Sequence, residues 1–413
     1  MTWKTSVKSL SAPARRPAHL RRSDIPAPAP TRRPTGTGSV LGAILDHGPV
    51  ARSTVARLTG LSPASVTGHV GRLLARGLVR ESAETAGPGG RGRPHVPVEI
   101  DTGRHLVAGA HIAVAHSTVT LMDLRGRIVA EERRPHRGTG PDQVLADLAA
   151  RLPPMVSGHA AGRTVLALGV ATGHRVDPVA GTVVEHPQLR WRDVPVREVL
   201  AAATGLPVHV DNHSRALARA EQMFGEASTR ASTVLLFVGA VVDAAFATEG
   251  TMHRGPRSGA GSVAHLPLGL RSGPGAAEPC GCGRPGCLQS EVSEPAMVRH
   301  ALERGLPVRS FPDLLELALT GEERAVALFR RRAGLVGRAA ALLLDMFDPE
   351  VLVVVEPGVG RLPHCLADLR AEVAERSWVC GAPERAVVPS SFTGSVLATA
   401  GGAVALDALY VDP

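Results

Sequence analysis

Between residues 38 and 81 the apolar positions recur at helical spacing. Val40, Leu41, Ile44 and Leu45 share one face of a first helix, which Gly48-Pro49 ends. Val55, Ala56 and Leu58 mark a second, short helix after Ser53, closed by Gly60. Ser62 can cap a third helix with Pro63 at its first position, and Gly77 suits its stop after Arg76. The buried stripe of that helix is Val66, Val70, Leu73 and Leu74. Leu78-Val79 and Val96–Ile100 read as two strands flanking a Gly/Pro/Arg loop, Gly87–Pro94. Three helices and a β-wing make residues 37–100 a winged helix-turn-helix domain.

Beyond residue 100 the pattern changes. Strand-like runs fall at His105–Ile112, Thr118–Met122, Val165–Val170, Val208–Val210, Val234–Val238 and Val351–Val355. Helical patterns fall at Pro141–Arg151, Val196–Ala203, Arg215–Phe224, Ala296–Arg304, Phe311–Leu319 and Glu322–Phe347. Strands alternating with helices predict an α/β body over residues 101–413. A strand, tight turn and strand near its start recur at Thr233–Ala247, which suggests two related halves around a cleft. A chain of 413 residues exceeds the ~250–300 at which single cores stop growing, so several domains are expected.

Charge sharpens this division. The net charge is +8, yet residues 1–100 hold fifteen Lys and Arg against five Asp and Glu, while the remainder is nearly balanced. A basic end on a neutral body suggests a module for a polyanion. Aromatic residues make up 3% of the chain, which argues against a base-stacking surface for single strands. Residues 1–36, rich in Pro, Ala and Arg with one acid, Asp24, read as a disordered basic arm. The longest apolar stretch, Thr233–Ala247, is too short to span a bilayer and contains Asp243, so a cytoplasmic protein is expected.

Double-stranded DNA is the partner this module implies. The third helix would enter the major groove with its N-terminal residues. Ser62, Ala64, Ser65, Thr67 and His69 are its exposed early positions, where small polar groups and a methyl can read base edges. Arg52 and Arg72 are better placed for phosphates. Arg91 and Arg93, in the wing loop, could reach phosphates or a narrow minor groove.

Cys280-Gly-Cys282-Gly-Arg-Pro-Gly-Cys287 carries the strongest local chemistry. Three thiolates in a loop made tight by glycines can wrap a tetrahedral ion, and His265, fifteen residues upstream, can supply a fourth ligand. Thiolate plus imidazole favours Zn²⁺, and four protein ligands favour a structural role.

These features together resemble the ROK family of repressors, open reading frames and sugar kinases. The resemblance runs over about residues 38–413. It rests on Gly255–His265 followed by Cys280–Gln289, with Val208–Asn212, Ala171-Thr-Gly173 and Val176–Gly181. It implies an actin-like, hexokinase-type ATPase fold in two lobes, often dimeric or tetrameric, with a sugar between them. It implies His265, Cys280, Cys282 and Cys287 as zinc ligands. The winged helix followed by Arg-Gly-Arg-Pro is similar to the regulator branch.

Family kinases use an Asn-Asp pair with Asp as base, a first phosphate loop Asp-x-Gly-Gly-Thr-Lys, a second loop Gly-Thr-Gly-x-Gly and a late Gly-Gly. Here the corresponding residues are Asn212-His213, His111–His116, Gly239-Ala-Val-Val-Asp243 and Glu356-Pro357. Phosphoryl transfer needs backbone N–H groups close to phosphate and a base near the hydroxyl, so a kinase is disfavoured. The sugar-binding positions of the family fall on Asn212, His213, Ser262, His265 and Gln289, where three carboxylates have become His, Ser and Gln. The expectation is a DNA-binding regulator of carbohydrate-related genes, most plainly a repressor. Its body would be a catalytically dead sensor, acting as a homodimer or homotetramer on a pseudo-palindromic operator with a sugar or sugar derivative as effector. The rival is a DNA-bound regulator that has lost small-ligand sensing and answers to a protein partner.

Overall fold

A computed structural model describes residues 34–82, 96–225, 232–268, 280–392 and 394–413. The amino-terminal helices are α1 (Gly36–His47), α2 (Arg52–Thr59) and α3 (Pro63–Ala75). Thr35 caps α1 and Ser62 caps α3, each oxygen accepting a backbone N–H of the first turn. α2 starts from Ala51 rather than after Ser53, and no side chain caps it. The wing pairs β1 (Val79–Glu81) with β2 (Val98–Ile100), Val79 opposite Ile100.

The first lobe opens with an antiparallel meander, β3 (His105–Ile112), β4 (His116–Asp123) and β5 (Ile128–Pro135). α4 (Pro141–His159) leads to β6 (Thr164–Thr172), parallel to β3. A small sheet of β7 (Arg175–Asp177), β8 (Thr182–His186) and β9 (Trp191–Val194) follows. Then α5 (Val196–Thr204) leads to β10 (Val208–Asn212), parallel to β6.

α6 (His213–Phe224) crosses to the second lobe. There β11 (Thr233–Val238), β12 (Val242–Thr248) and β13 (Thr251–Met252) form another meander. α7 (Leu288–Val292), α8 (Glu294–Glu303), α9 (Phe311–Leu319) and α10 (Glu323–Phe347) precede β14 (Val351–Val355). α11 (Pro357–Arg361), α12 (Pro363–Arg376) and α13 (Pro383–Ala386) precede β15 (Val387–Pro389), and α14 (Val396–Val411) returns to the first lobe. The sheet orders are β10-β6-β3-β4-β5 and β13-β12-β11-β14-β15. Each lobe is thus an antiparallel meander extended by two parallel strands. This repetition, which the strand–turn–strand recurrence foreshadows, makes the body an actin-like, hexokinase-type two-lobed fold.

The winged helix shares a core with the first lobe. Val40, Leu41 and Ile44 of α1 and Val98 and Ile100 of β2 cluster with Val107, Met122, Leu124, Leu406 and Tyr410. Thr35 N donates to Val411 O at 2.9 Å, and Tyr410 Oη donates to Leu124 O at 2.7 Å. The approach is close enough to require glycine: a Cβ on Gly38 would stand 2.5 Å from Val411 O. α14 lies equally tightly on the sheet, where a Cβ on Gly109 would stand 2.3 Å from Gly402 N. At its other end α14 adds Ala400 and Val404 to the cluster between the lobes, with Leu217, Val241 and Val353. One helix therefore touches the lobe interface and the DNA-binding module.

Candidate functional site

Strand ends β6, β10 and β12 converge on Asp243, which is buried. Its Oδ2 accepts His174 N at 2.7 Å and Asn212 Nδ2 at 3.2 Å, both from the first lobe. Asn212 Nδ2 also donates to His174 O, while its Oδ1 caps α6 by accepting from Ser214 N and Arg215 N. His213 Nε2 lies 3.3 Å from the same carboxylate oxygen, within ion-pair reach but without a hydrogen bond's alignment. Burial alone would raise the Asp243 carboxyl, yet His213 and the His174 N–H hold it well below the usual carboxylate range. The second lobe's anion is therefore held by first-lobe dipoles, and this latch ties the two lobes together.

The imidazoles extend the network. His111 Nε2 and His213 Nδ1 are 3.3 Å apart, with their rings 4° from parallel. Burial first, then His213, keeps the His111 pKa well below its ordinary value. His174 meets His186 edge to face at 4.8 Å, and burial draws His186 down to about 3. Where the family resemblance places an acid and a base, two buried imidazoles face each other.

On the side where the resemblance would place a nucleotide, a second buried pair stands. Arg332 is fully buried; its Nη1 lies 2.7 Å from Glu356 Oε1 and its Nη2 donates to Val238 O at 3.0 Å. Glu356 Oε2 accepts Val359 N at 2.6 Å and caps α11. A protein carboxylate thus takes the helix N-terminus, and a guanidinium bridges the ends of β11 and β14, the two places where phosphate and adenosine loops would stand.

The expected sugar-binding set is dispersed. Gln289 Oε1 accepts Val242 N at 2.8 Å and its Nε2 donates to Ala240 O at 2.9 Å, so its amide clamps the β11–β12 turn. Asn212 and His213 are buried in the latch, while Ser262 is exposed. His265 belongs to the cysteine cluster. Of the five, only Ser262 keeps a side chain with no internal hydrogen bond among the described residues. Three groups had no place in the sequence reading: the half-buried His174 and the buried His186 and Arg332. Arg332 had a signal, since it shares the α10 core face with Leu328, Phe329, Val336 and Ala340.

His265, Cys280, Cys282 and Cys287 do converge, their ligand atoms all lying within 4.8 Å of one another. His265 Nδ1 is 3.4 Å from Cys280 Sγ, and Cys282 Sγ is 3.6 Å from Cys287 Sγ. Tetrahedral Zn²⁺ with ordinary bond lengths has edges of about 3.6 Å (N to S) and 3.8 Å (S to S), so the donor set fits. His265 stands in a loop. Leu288 N donates to Leu266 O and Gln289 N to Ala264 O, which lace that loop to the start of α7.

On the winged helix, Ala64, Ser65 and Thr67 are exposed on α3. Ser62 Oγ and Ser65 Oγ lie 3.1 Å apart, and Thr67 Oγ1 donates to Pro63 O. His69 is turned partly inward, its Nδ1 2.8 Å from Thr37 Oγ1 and 2.7 Å from Arg72 Nη2. Arg52 donates to Glu81 of the wing at 2.8 Å. Arg91 and Arg93 lie outside the described residues.

A family model described as the ROK family matches residues 107–407, and one described as the MarR family matches residues 34–87. A transcriptional regulator of Mycobacterium tuberculosis is 32% identical over 394 residues, 92% of this chain and 86% of that protein. The xylose repressor of Caldicellulosiruptor bescii is 24% identical over 355 residues, 82% of this chain and 87% of that protein. The crystal structure of a ROK family transcriptional regulator, a homolog of the Escherichia coli MLC protein, matches with a TM-score of 0.75 at 23% identity. That match covers 91% of this chain and 96% of that one.

Proposed function

The chain belongs to the ROK family as a DNA-binding transcriptional regulator, and we propose that it represses carbohydrate-related genes through a body that senses and does not phosphorylate. The observation that carries this reading is the cleft latched by side-chain contacts behind a MarR-type winged helix. Asp243 and its first-lobe partners take the reacting position, while Arg332 and Glu356 take the nucleotide side. At these two places Val242 N already donates to Gln289 Oε1 and Val359 N to Glu356 Oε2, where a phosphate would need free backbone donors. The named relatives support the carbohydrate assignment, since one is a xylose repressor.

An effector in the cleft would have to exchange its own hydrogen bonds for those of the latch. Only a difference in affinity between latched and open lobes can shift that balance. Because the winged helix is cored onto the first lobe and α14, a change in lobe angle moves the reading helix with it. Two copies related by a two-fold axis would then change their half-site spacing. The regulator acts in the bacterial cytoplasm, at the nucleoid. His265, Cys280, Cys282 and Cys287 hold a structural Zn²⁺, which ties the His265 loop to α7 and so steadies the Gln289 clamp. Among the described residues no helix is long and apolar enough to cross a membrane.

The engaged amides of Asn212 and Gln289 also favour a second reading, in which no sugar enters and a protein partner moves the lobes. A titration of labelled DNA from upstream of the gene, at fixed salt, separates the two. With a panel of sugars and sugar phosphates, release or tightening by one compound supports the sensor. Specific binding indifferent to every compound supports the second reading, and turnover of ATP with any of the sugars contradicts both.

A further inference from the structure

Arg72 is exposed on α3, yet its guanidinium is not left to swing. Its Nη2 lies 2.7 Å from His69 Nδ1, nearly one turn back along the helix. Its Nη1 lies over Gly68, where a Cβ would already stand at 4.0 Å. The side chain is therefore folded toward the amino-terminal half of α3, the half that enters a groove in helix-turn-helix proteins. A guanidinium has only donors, so Nδ1 is the acceptor and the ring's proton sits on Nε2. Thr37 Oγ1, 2.8 Å from the same nitrogen, donates to it as well.

The partner's charge decides what this contact can do. Arg52 and Arg80 of the same module are each bound to a carboxylate, Glu81 and Glu99. A phosphate would have to displace that carboxylate or share the cation with it. Arg72 is held by a neutral ring instead, and no carboxylate lies within ion-pair reach of it among the described residues. Its charge stays whole for an anion outside the protein. A long side chain that is already held also loses less freedom when the phosphate arrives.

His69 is held in its turn. The ring is half-buried against the start of α1, where a Cβ on Gly36 would stand 2.9 Å from Nε2. α1 is itself tied to the end of α14, since Thr35 N donates to Val411 O. With Nδ1 engaged twice and Nε2 turned to α1, the ring serves its neighbours rather than a base edge.

We propose that His69 is a positioning residue: it reads no base, and it holds the Arg72 guanidinium where α3 meets a DNA phosphate. The inference rests on the reading of the winged helix as a DNA-binding module and assigns roles within it.

Anisotropy of labelled duplex from upstream of the gene, titrated with the full chain at several salt concentrations, tests it. Arg72→Ala is expected to weaken binding by about tenfold or more, the worth of one charge-assisted hydrogen bond. It is also expected to flatten the plot of log affinity against log salt by about 0.9 for each chain bound. His69→Ala leaves the charge on Arg72 and is expected to cost about three- to tenfold, the freedom of one long side chain. Added to Arg72→Ala, it is expected to cost nothing more. His69→Asn, whose Oδ1 stands near the place of Nδ1, keeps an acceptor and is expected to bind within about twofold of wild type. Alanine is a better helix former than histidine or asparagine, so a weakened helix would not give a loss in His69→Ala and recovery in His69→Asn. Additive losses in the double variant would overturn the inference, because His69 would then act on DNA or on the fold by itself. So would a His69→Asn variant as weak as His69→Ala, or an Arg72→Ala variant that keeps both affinity and salt slope. Wild type with no affinity for the duplex at any salt would overturn the DNA-binding reading itself, and this inference with it.

Discussion

Asp243 concentrates the chemistry of the cleft in one carboxylate, and the imidazoles around it set how the body responds to acid. In the fold, burial keeps His186 at about 3 against an ordinary 6.5, and keeps His111 well below its ordinary value. In the unfolded chain both take a proton as pH falls below 6.5, so the unfolded state binds more protons there. Stability is therefore full above about pH 6.5 and falls as pH drops toward the folded values, by roughly 1.4 kcal/mol per pH unit for each such group. His186→Asn keeps an acceptor for Leu189 N, which His186 Nδ1 now receives at 3.3 Å, and removes one titration. Its urea midpoint is expected to decline less steeply than wild type between about pH 6 and pH 4.5; an equal decline would contradict the assignment. The cysteine cluster makes a separate prediction. Protein purified under reducing conditions should carry about one Zn²⁺ per chain by atomic emission, and Cys287→Ser should carry almost none. Wild type without metal when zinc is supplied would contradict a structural site.

Among the elements, α14 has the widest reach, from Ala400 and Val404 between the lobes to Leu406 and Tyr410 under the winged helix. Leu406→Ala opens a cavity in the shared core, and deletions of this kind cost about 2–5 kcal/mol. The variant is expected to lower the unfolding midpoint and to weaken DNA binding together, because the module and the lobe share that core. Destabilisation with unchanged DNA affinity would show the two to be independent. Little of α14 was legible beforehand: its neighbours, such as Arg219 for Asp407 and Leu124 for Tyr410, lie 188 and 286 residues away in the chain, and helical spacing says nothing of such partners. The winged helix was legible because its signals are local: Ser62 and Pro63 at a helix start, the stripe Val66, Val70 and Leu73, and a glycine at each stop. The convergence of the cysteines with His265 was legible for the same reason, three cysteines in eight residues needing only one distant histidine. The latch was not. His213 and Asp243 were each visible as departures from a kinase pattern, but their convergence with Asn212 and His174 across two lobes is a product of tertiary structure. Arg332 stood on a helical core face, and a charge at such a position is a signal worth reading.

At the scale of the molecule, two lobes of repeated topology are joined by a buried latch, with a winged helix fixed to one of them. Basic residues crowd the DNA-binding end while the body is nearly neutral. That distribution puts affinity for polyanions at one end of the molecule. Ala64, Ser65 and Thr67 offer a small-residue reading surface, and a symmetric pair of such surfaces expects a repeated site. The most direct measurement is selection of bound duplexes from a random-sequence pool by the full-length protein, at one fixed salt concentration. Enrichment of an inverted repeat, with half-sites separated by about one helical turn (~10 bp) or a multiple of it, is the expected result. A bound pool that shows no sequence enriched over the starting mixture would contradict the assignment of this chain as a sequence-specific DNA-binding regulator.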